Sequence, residues 1–464
     1  MTSHDLIVVG GGPAGYASAL YAASAGLDVG LVERSKLGGT CLHVGCIPAK
    51  ELLETAAVFR AVGHAGQFGV AVGEPALDMA VAQQRKQGII DRLTGGLARL
   101  LDSRKVTVYD GSGALGPDRT VAVTGGGESA TLTGRNVILA TGSVPRTLDG
   151  FPVDGERVVT SDELLSIESV PAAATVIGGG AIGCEFASML CDMGSAVTLL
   201  EVLPRLLAGA DADVSKQVER SFKRRGMKVR TGVEPAGVEP AGESLTVRFG
   251  DGEEVRADLV VVSVGRRPVT EGLGLGGTGV EVSGRGFVAV DEHCRTGEPG
   301  VYAAGDVIAT PQLAHVGFAE GILAVQHLLG EDPAPIDYAN VPWCIYSSPE
   351  VAFAGLSEQG AADAGVDAVV SKHRYASNGR AMIVGEVDGF VKVIAERSPD
   401  GAAGRLLGVH LVGPWATEQL GQGYLAVNWE ATVADVAGLI QPHPTLSELF
   451  GETVLSLTGR SLHG

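Results

Sequence analysis

The sequence predicts an α/β protein: two Rossmann-like dinucleotide-binding domains followed by a C-terminal region of α+β character. Three observations carry that prediction. A unit of strand, glycine-rich turn, helix and second strand opens the chain and recurs after residue 174. Each copy is later closed by an apolar strand that runs into a glycine turn. Beyond Asp332-Pro333-Ala334-Pro335, a proline-rich boundary, the pattern changes to alternating strands and amphipathic helices with no further glycine fingerprint.

In the first copy, residues 5–9 read as a strand, 16–25 as a helix and 27–33 as the second strand, with Gly10-Gly11-Gly12-Pro13-Ala14-Gly15 between the first two. Gly10, Gly12 and Gly15 satisfy G-x-G-x-x-G, which lets the backbone approach a pyrophosphate and sets it on the helix N-terminus. Glu33 ends the second strand, where a carboxylate accepts hydrogen bonds from a ribose diol. The second copy runs from a strand at 175–177 through Gly178, Gly180 and Gly183, a helix reaching 193, and a strand at 196–201. Gly10 and Glu33 are 23 positions apart, as are Gly178 and Glu201, so two dinucleotides are expected. Glu201 suits a free 2′-hydroxyl and repels a 2′-phosphate, and Val202-Leu203-Pro204 follows it before Arg205, so the second cofactor is expected to be NAD.

Between the copies, apolar spacing predicts a helix over 85–101 and short strands with glycine turns over 106–123. Residues 136–143 form a buried strand ending in the turn Thr141-Gly142-Ser143. Residues 258–268, with Gly265 at the exit, are the matching strand of the second copy. Past the boundary, 391–394 and 406–412 read as strands and 417–429 as a helix.

Two segments carry chemistry beyond nucleotide binding. The first is Gly38-Gly39-Thr40-Cys41-Leu42-His43-Val44-Gly45-Cys46-Ile47-Pro48-Ala49-Lys50. A thiolate attacks a disulfide to give a mixed disulfide that a second thiol resolves, so two close cysteines store two electrons and exchange them with another dithiol. A helix turns about 100° per residue, which separates positions 41 and 46 around its axis. The pair therefore requires a loop or a distorted first turn. Helix formers at 49–54 place the cysteines at a helix N-terminus, where exposed N–H groups lower a thiol pKa. Lys50 falls one turn after Cys46 on the same face, where its charge favours a thiolate or a reduced cofactor. Taken alone, C-x4-C fits a static disulfide or two unrelated buried thiols equally well.

The second segment is Gln441-Pro442-His443-Pro444-Thr445-Leu446-Ser447-Glu448-Leu449-Phe450-Gly451. Dithiol exchange needs a group that takes a proton from an incoming thiol and returns it on reversal, and neutral imidazole, with an ordinary pKa of about 6.5, suits that task. His443 is the candidate base, and Glu448 the nearest carboxylate able to fix its tautomer. The plainer alternative is an exposed loop histidine between two prolines, with Glu448 capping the helix that follows. Spacing does not bring His443 to Cys41.

Composition narrows the class. Lys plus Arg number 35 against 54 Asp plus Glu, a net charge of −19, which disfavours nucleic acid and attracts basic protein surfaces. The 68 glycines are about twice the usual share of roughly 7%, without a G-X-Y period, and belong to turns and phosphate loops. The first residues lack a basic n-region, and the apolar stretch 6–9 is too short for a signal-peptide core, so a cytoplasmic protein is expected. No apolar run approaches the roughly 18–20 residues of a membrane helix. Cys184, Cys191, Cys294 and Cys344 have no metal spacing and read as buried small hydrophobes; no metal is expected.

At residues 38–50 the chain resembles the FAD-dependent pyridine-nucleotide disulfide oxidoreductases, whose redox-active segment reads much like GGTCLHVGCIPAK. The string HPTLSE at 443–448 resembles the lipoamide dehydrogenases of that family. The resemblance extends from Ile7 to the tail Leu457-Thr458-Gly459-Arg460. It implies that Cys41 exchanges with substrate and Cys46 lies against the flavin, with His43 and Ala49 standing where lipoamide dehydrogenases often carry Asn and Ser. It implies FAD on Gly10, Gly12, Gly15, Glu33 and Lys50, on the turn Thr141-Gly142-Ser143, on Asp306, which would bond the ribityl chain, and on Ala314. It implies NAD on Gly178, Gly180, Gly183, Glu185, Glu201 and Gly265, with Lys50 and Glu185 paired beside the flavin. His443 and Glu448 would be delivered by the partner subunit.

The domains implied are FAD-binding at 1–145 and 270–335, NAD-binding at 146–269, and a dimerisation domain at 336–464. The implied activity is reoxidation of dihydrolipoamide to lipoamide through a Cys41–Cys46 disulfide and FAD, with NAD+ as final acceptor. A homodimer would serve the lipoyl-bearing E2 core of a 2-oxo acid dehydrogenase complex, or the lipoyl carrier protein of glycine cleavage. A same-fold alternative is an NADPH-dependent reductase of low-molecular-weight disulfides, against which Glu201 without adjacent arginines argues. An alternative of another class is a non-catalytic flavoprotein that docks or senses redox state, against which intact Cys41, Cys46 and His443 argue.

Overall fold

The computed structural model describes residues 2–126 and 129–463. The chain divides into two compact units, one of residues 1–52, 78–146 and 265–338, the other of 53–77, 147–264 and 339–464.

The first unit is built on a seven-stranded sheet. Four parallel strands lie in the order Thr107–Asp110, Val29–Glu33, Thr2–Val9, Ala130–Leu139. Val301–Ala303 adds in parallel to the end of Ala130–Leu139, and Thr120–Thr124 with Ser112–Leu115 add as an antiparallel hairpin. Leu6, Ile7, Val8, Ile138 and Leu139 are fully buried. Such unbroken apolar runs mark strands covered on both faces, and each of these side chains stabilises the fold by about 1.5–3 kcal/mol. The helix Pro13–Ser24 starts three residues before the predicted one, because proline's missing N–H costs nothing in a first turn. It packs on the helix Ala314–Leu328 through small residues: a Cβ on Gly321 would lie 2.6 Å from the Ala14 carbonyl oxygen.

The second unit holds a five-stranded parallel sheet ordered Lys228–Thr231, Ala196–Glu201, Ala173–Ile177, Leu259–Val262, Val158–Val159. Its first four strands repeat the order of the parallel strands in the first unit. An antiparallel three-stranded sheet, Pro235–Ala241, Ser244–Phe249 and Glu253–Ala257, accompanies it. The same unit contains an antiparallel sheet ordered Trp343–Ile345, Glu350–Gly355, Ala403–Gly413, Phe390–Arg397, Ala368–Arg374. Leu420, Leu449, Phe450 and Val454 of the helices Ala416–Asn428 and Glu448–Ser456 share a core with Val391, Val393 and Val409 of that sheet. Lys392 is buried within it and bonds Asp211 at 2.8 Å, Asp213 at 3.2 Å and Glu358, so its charge is compensated. The predicted class, two Rossmann-like sheets plus an α+β region, is the observed one. Among the described residues no helix is long and apolar enough to cross a membrane.

Candidate active site

The two glycine loops have the same local geometry. Gly10 has φ 108°, and a Cβ there would lie 2.3 Å from the Ala140 carbonyl oxygen; Gly178 has φ 106°, and a Cβ there would lie 2.3 Å from that of Ser263. A Cβ on Gly15 would lie 1.8 Å from the Gly10 carbonyl oxygen, and one on Gly183 1.8 Å from that of Gly178. Both loops therefore require glycine for their own packing. Gly12 and Gly180 differ, since their added Cβ atoms would meet nothing closer than 4.0 Å. They precede the helices Pro13–Ser24 and Ala181–Asp192, neither of which has a side-chain cap. Open space and uncapped N–H groups together fit a pyrophosphate at each helix N-terminus.

The two acidic residues hold these loops in shape. Glu33 accepts from Gly11 N at 2.6 Å and Ser35 N at 2.8 Å; Glu201 accepts from Gly179 N at 2.5 Å and Leu203 N at 2.7 Å. Each carboxylate oxygen keeps a further lone pair for a ribose hydroxyl. Arg205 donates from Nη2 to the Ala208 carbonyl at 2.8 Å, which turns part of its guanidinium toward its own loop. Glu185 is buried and accepts from Tyr346 N at 2.9 Å.

Three distant stretches meet at Asp306. Ser143 Oγ donates to Asp306 Oδ2 at 2.5 Å, and Arg266 donates to Ser143 Oγ at 2.7 Å and to its carbonyl at 2.8 Å. Burial pushes the Asp306 carboxyl up, while the Ser143 bond and Arg266 act in the other direction. Thr141 Oγ1 donates to the Val269 carbonyl at 2.7 Å and Gly142 turns at φ 70°, which anchors the same corner. Ala314 begins a helix with no side-chain cap.

Glu320, one turn and a half into that helix, is 0% exposed. It accepts from Gly305 N at 2.6 Å and from the Tyr338 hydroxyl at 3.0 Å, and so holds the loop that presents Asp306. Sequence inspection singled out neither Arg266 nor Glu320. We expect Glu320→Ala to take the acceptor from the Gly305 N–H and from the Tyr338 and Thr310 hydroxyls, at about 1–3 kcal/mol for each donor that water does not reach. A lower urea midpoint and weaker FAD retention would report it; an unchanged midpoint would show that water replaces the carboxylate.

Cys41 sits in the short helix Gly39–His43, entered through Gly38 and Gly39 at φ 99° and 55°. Val44, at φ −140° and ψ 28°, ends that helix, and Cys46 opens the next, Cys46–Gly63. The predicted distorted turn is thus a full break between two helices, which brings the sulfurs together as hydrogen-bonded thiols. That bond to Cys46, then burial, holds Cys41 far above the ordinary thiol range, with Lys50 pulling weakly the other way. The helix-terminus argument predicted a lowered thiol; the close partner sulfur and burial outweigh it. Tyr16 also faces the pair: burial, with smaller contributions from Cys41 and Cys46, pushes its hydroxyl up to about 12. His43 bonds the Leu37 carbonyl at 2.8 Å and fastens the segment.

In the second unit, His443 Nδ1 lies 2.9 Å from Glu448 Oε2. The histidine side chain is 73% exposed and the carboxylate 8%. The other Glu448 oxygen accepts the Thr445 N–H at 3.4 Å, upstream of the helix Glu448–Ser456, whose N-cap Ser447 makes no side-chain cap bond, so the carboxylate ties the histidine loop and does not cap the helix. Thr445 Oγ1 accepts from Glu448 N at 3.1 Å and donates to the Pro442 carbonyl at 2.8 Å, closing the loop around the histidine. Asn378, distant in sequence, donates to Glu448 Oε1 at 3.3 Å. Cys184 and Cys294 are buried as expected, whereas Cys191 and Cys344 are half-buried.

Residues 4–321 match the pyridine nucleotide-disulphide oxidoreductase family, and residues 341–454 match its dimerisation domain. A dihydrolipoyl dehydrogenase of Bacillus subtilis (strain 168) is 42% identical, over 100% of this chain and 99% of that one. The dihydrolipoyl dehydrogenase of Thermus scotoductus is 39% identical over the same shares. The crystal structure of LpdA from Mycobacterium tuberculosis superposes with a TM-score of 0.91 at 28% identity, over 98% of this chain and 100% of that one.

Proposed function

The chain belongs to the pyridine nucleotide-disulphide oxidoreductase family, and we propose that it oxidises dihydrolipoamide to lipoamide with NAD+ as acceptor, the dihydrolipoyl dehydrogenase reaction. The observation that carries this reading is that one chain holds two complementary devices. One is a bonded thiol pair whose Cys41 is held protonated; the other is an exposed imidazole backed by a buried carboxylate. A thiol of raised pKa is formed and consumed only with a proton partner.

FAD is the resident cofactor, and when bound it takes the two electrons of the dithiol pair and passes them to NAD+. Gly10, Gly12 and Gly15 with the N-terminus of Pro13–Ser24 would hold its pyrophosphate, Glu33 its ribose, and Asp306, set by Ser143, its sugar chain; Lys50, Thr141, Gly142 and Ala314 complete the set. Gly178, Gly180, Gly183, Glu185, Glu201 and Gly265 would hold NAD.

In the oxidised enzyme Cys41 and Cys46 form a disulfide. His443 Nε2 takes the proton of one substrate thiol, while Glu448 holds Nδ1–H and stabilises the imidazolium. The thiolate attacks Cys41 Sγ, the Cys41–Cys46 bond breaks, and Cys46 leaves as a thiolate. The second substrate thiol, deprotonated in turn, attacks the mixed disulfide, forms the lipoamide disulfide and releases Cys41, which takes up a proton. One dithiol is oxidised and one disulfide reduced.

Cofactor choice gives a direct prediction. A 2′-phosphate would be set against the Glu201 charge with Arg205 already bonded to Ala208. Like-charge juxtaposition at several kcal/mol corresponds to a preference for NAD+ over NADP+ of about 100-fold or more in kcat/KM. Steady-state oxidation of dihydrolipoamide by the FAD-loaded protein with each nucleotide tests it. Turnover with NADPH and another disulfide only would overturn both the substrate and the cofactor.

The reading includes a homodimer formed through the dimerisation domain. Leu425, Trp429, Leu439 and Ile440 are large apolar side chains exposed in that domain, Ile440 at 99%, which supports a covered face there. It also includes docking to a lipoyl-bearing E2 core or carrier protein, toward which a net charge of −19 favours a basic surface. A cytoplasmic location belongs to the same reading: six cysteines in a chain of 464 residues do not make a disulfide scaffold.

A further inference from the structure

We infer that Asn378 is a positioning residue for His443: its side-chain amide fixes the Glu448 carboxylate and the loop that carries the histidine. The inference rests on the reading of His443 as base. Asn378 is 4% exposed and caps the helix Gly379–Val384, its Oδ1 accepting from Ala381 N at 2.9 Å. That bond orients the amide, since the oxygen must face the helix and the NH2 the other side. There its two hydrogens meet two acceptors: the Thr445 carbonyl at 3.0 Å and Glu448 Oε1 at 3.3 Å. Every hydrogen of the NH2 is assigned.

The consequence for Glu448 follows from counting its partners. Oε2 holds His443 Nδ1 at 2.9 Å, and Oε1 is held by Asn378 and, less closely, by Thr445 N at 3.4 Å. With both oxygens held, the carboxylate plane cannot rotate, and Nδ1 stays the protonated nitrogen. The other nitrogen, Nε2, is then the acceptor presented to substrate. Asn378 also grips the Thr445 carbonyl, two residues past His443, so one amide fixes the carboxylate and the backbone of the loop together. A neutral donor matters here, because a cation at this position would compete with the imidazolium for Glu448.

Capping and positioning use different atoms of Asn378, so they can be separated. Serine is as good an N-cap as asparagine, but it is too short to reach Glu448 or Thr445. We expect the FAD-loaded Asn378→Ser protein to stay folded and keep its FAD content, with a lower thermal midpoint because Glu448 Oε1 and the Thr445 carbonyl lose their amide donor. Its kcat for dihydrolipoamide should fall by about 10- to 100-fold with little change in KM, as for a reacting group misplaced by a fraction of an ångström to one ångström. In a Glu448→Gln background the same substitution should cost less, because the part of its effect that passes through Glu448 is already lost and only the Thr445 contact remains. A wild-type kcat in Asn378→Ser, or a loss of equal size in both backgrounds, would overturn the inference.

If the wild type does not oxidise dihydrolipoamide, the functional reading fails on its own. The positioning claim then rests on 15N-labelled histidine spectra, assigned with His443→Gln. The His443 Nδ1 resonance should move toward that of an unbonded imidazole in Asn378→Ser; an unmoved resonance would refute it.

Discussion

Replacing Cys41 with serine is expected to lower dihydrolipoamide oxidation by at least about 10³-fold while leaving the protein folded and able to bind FAD. The substitution is nearly isosteric, and a serine hydroxyl can keep the hydrogen bond that Cys41 makes to Cys46. What it removes is the sulfur that must form the mixed disulfide, for which oxygen has no equivalent. Cys46→Ser should be as severe in turnover yet differ in one respect. It replaces the ionisable Cys46 sulfur, whose hydrogen bond and charge raise Cys41, by a neutral hydroxyl, with burial still acting upward and Lys50 downward. Cys41 in that variant should therefore react faster with iodoacetamide at neutral pH than in the reduced wild type. If Cys41→Ser retains turnover, exchange proceeds through another group and the redox-pair assignment falls. If the wild type itself is inactive with every dithiol and disulfide, the non-catalytic flavoprotein reading takes its place.

What could be read from the sequence was what lies close along the chain. The fingerprints need glycine for contacts within a βαβ unit, so Gly10 and Gly15, or Gly178 and Gly183, announce themselves by spacing. His443 and Glu448 are five residues apart, and their bond was foreseeable for the same reason. The residues that went unseen act at long range. Arg266 bonds Ser143 and so sets Asp306, two residues that the resemblance did assign, but it arrives from a separate strand end. Glu320 lies in a strongly apolar helix, where one acidic residue looks like an exposed position; only the fold shows the Gly305 N–H in front of it. Asn378 is 70 positions from Glu448, and its asparagine signals nothing more than a helix cap. Cys41 shows a different failure. Its helix-terminus signal was read correctly in kind but not in weight, since the contact that decides the sign is between two sulfurs separated by a helix break.

His443→Gln should lower kcat for dihydrolipoamide by about 10²- to 10⁴-fold, the range for loss of a positioned base. Glutamine keeps a nitrogen able to donate to Glu448, so the loop should hold while the proton acceptor disappears. Reduction of bound FAD by NADH, which does not involve a substrate thiol, should proceed at the wild-type rate. A stronger test follows from the exposure of the histidine. Its side chain is 73% exposed while its carboxylate is buried, so the base faces out of its own chain, as one serving a second subunit would. Suppose Cys41→Ser and His443→Gln subunits are mixed and allowed to reassociate at random. A two-fold dimer with bases exchanged has one intact site in each mixed dimer, so activity should recover to about a quarter of wild type. Bases acting within their own chain would give no recovery, because every site would then carry one of the two lesions. Partial recovery would thus locate the base across the interface and make dimerisation a condition of catalysis, and zero recovery from demonstrably mixed dimers would confine the proton transfer to a single chain.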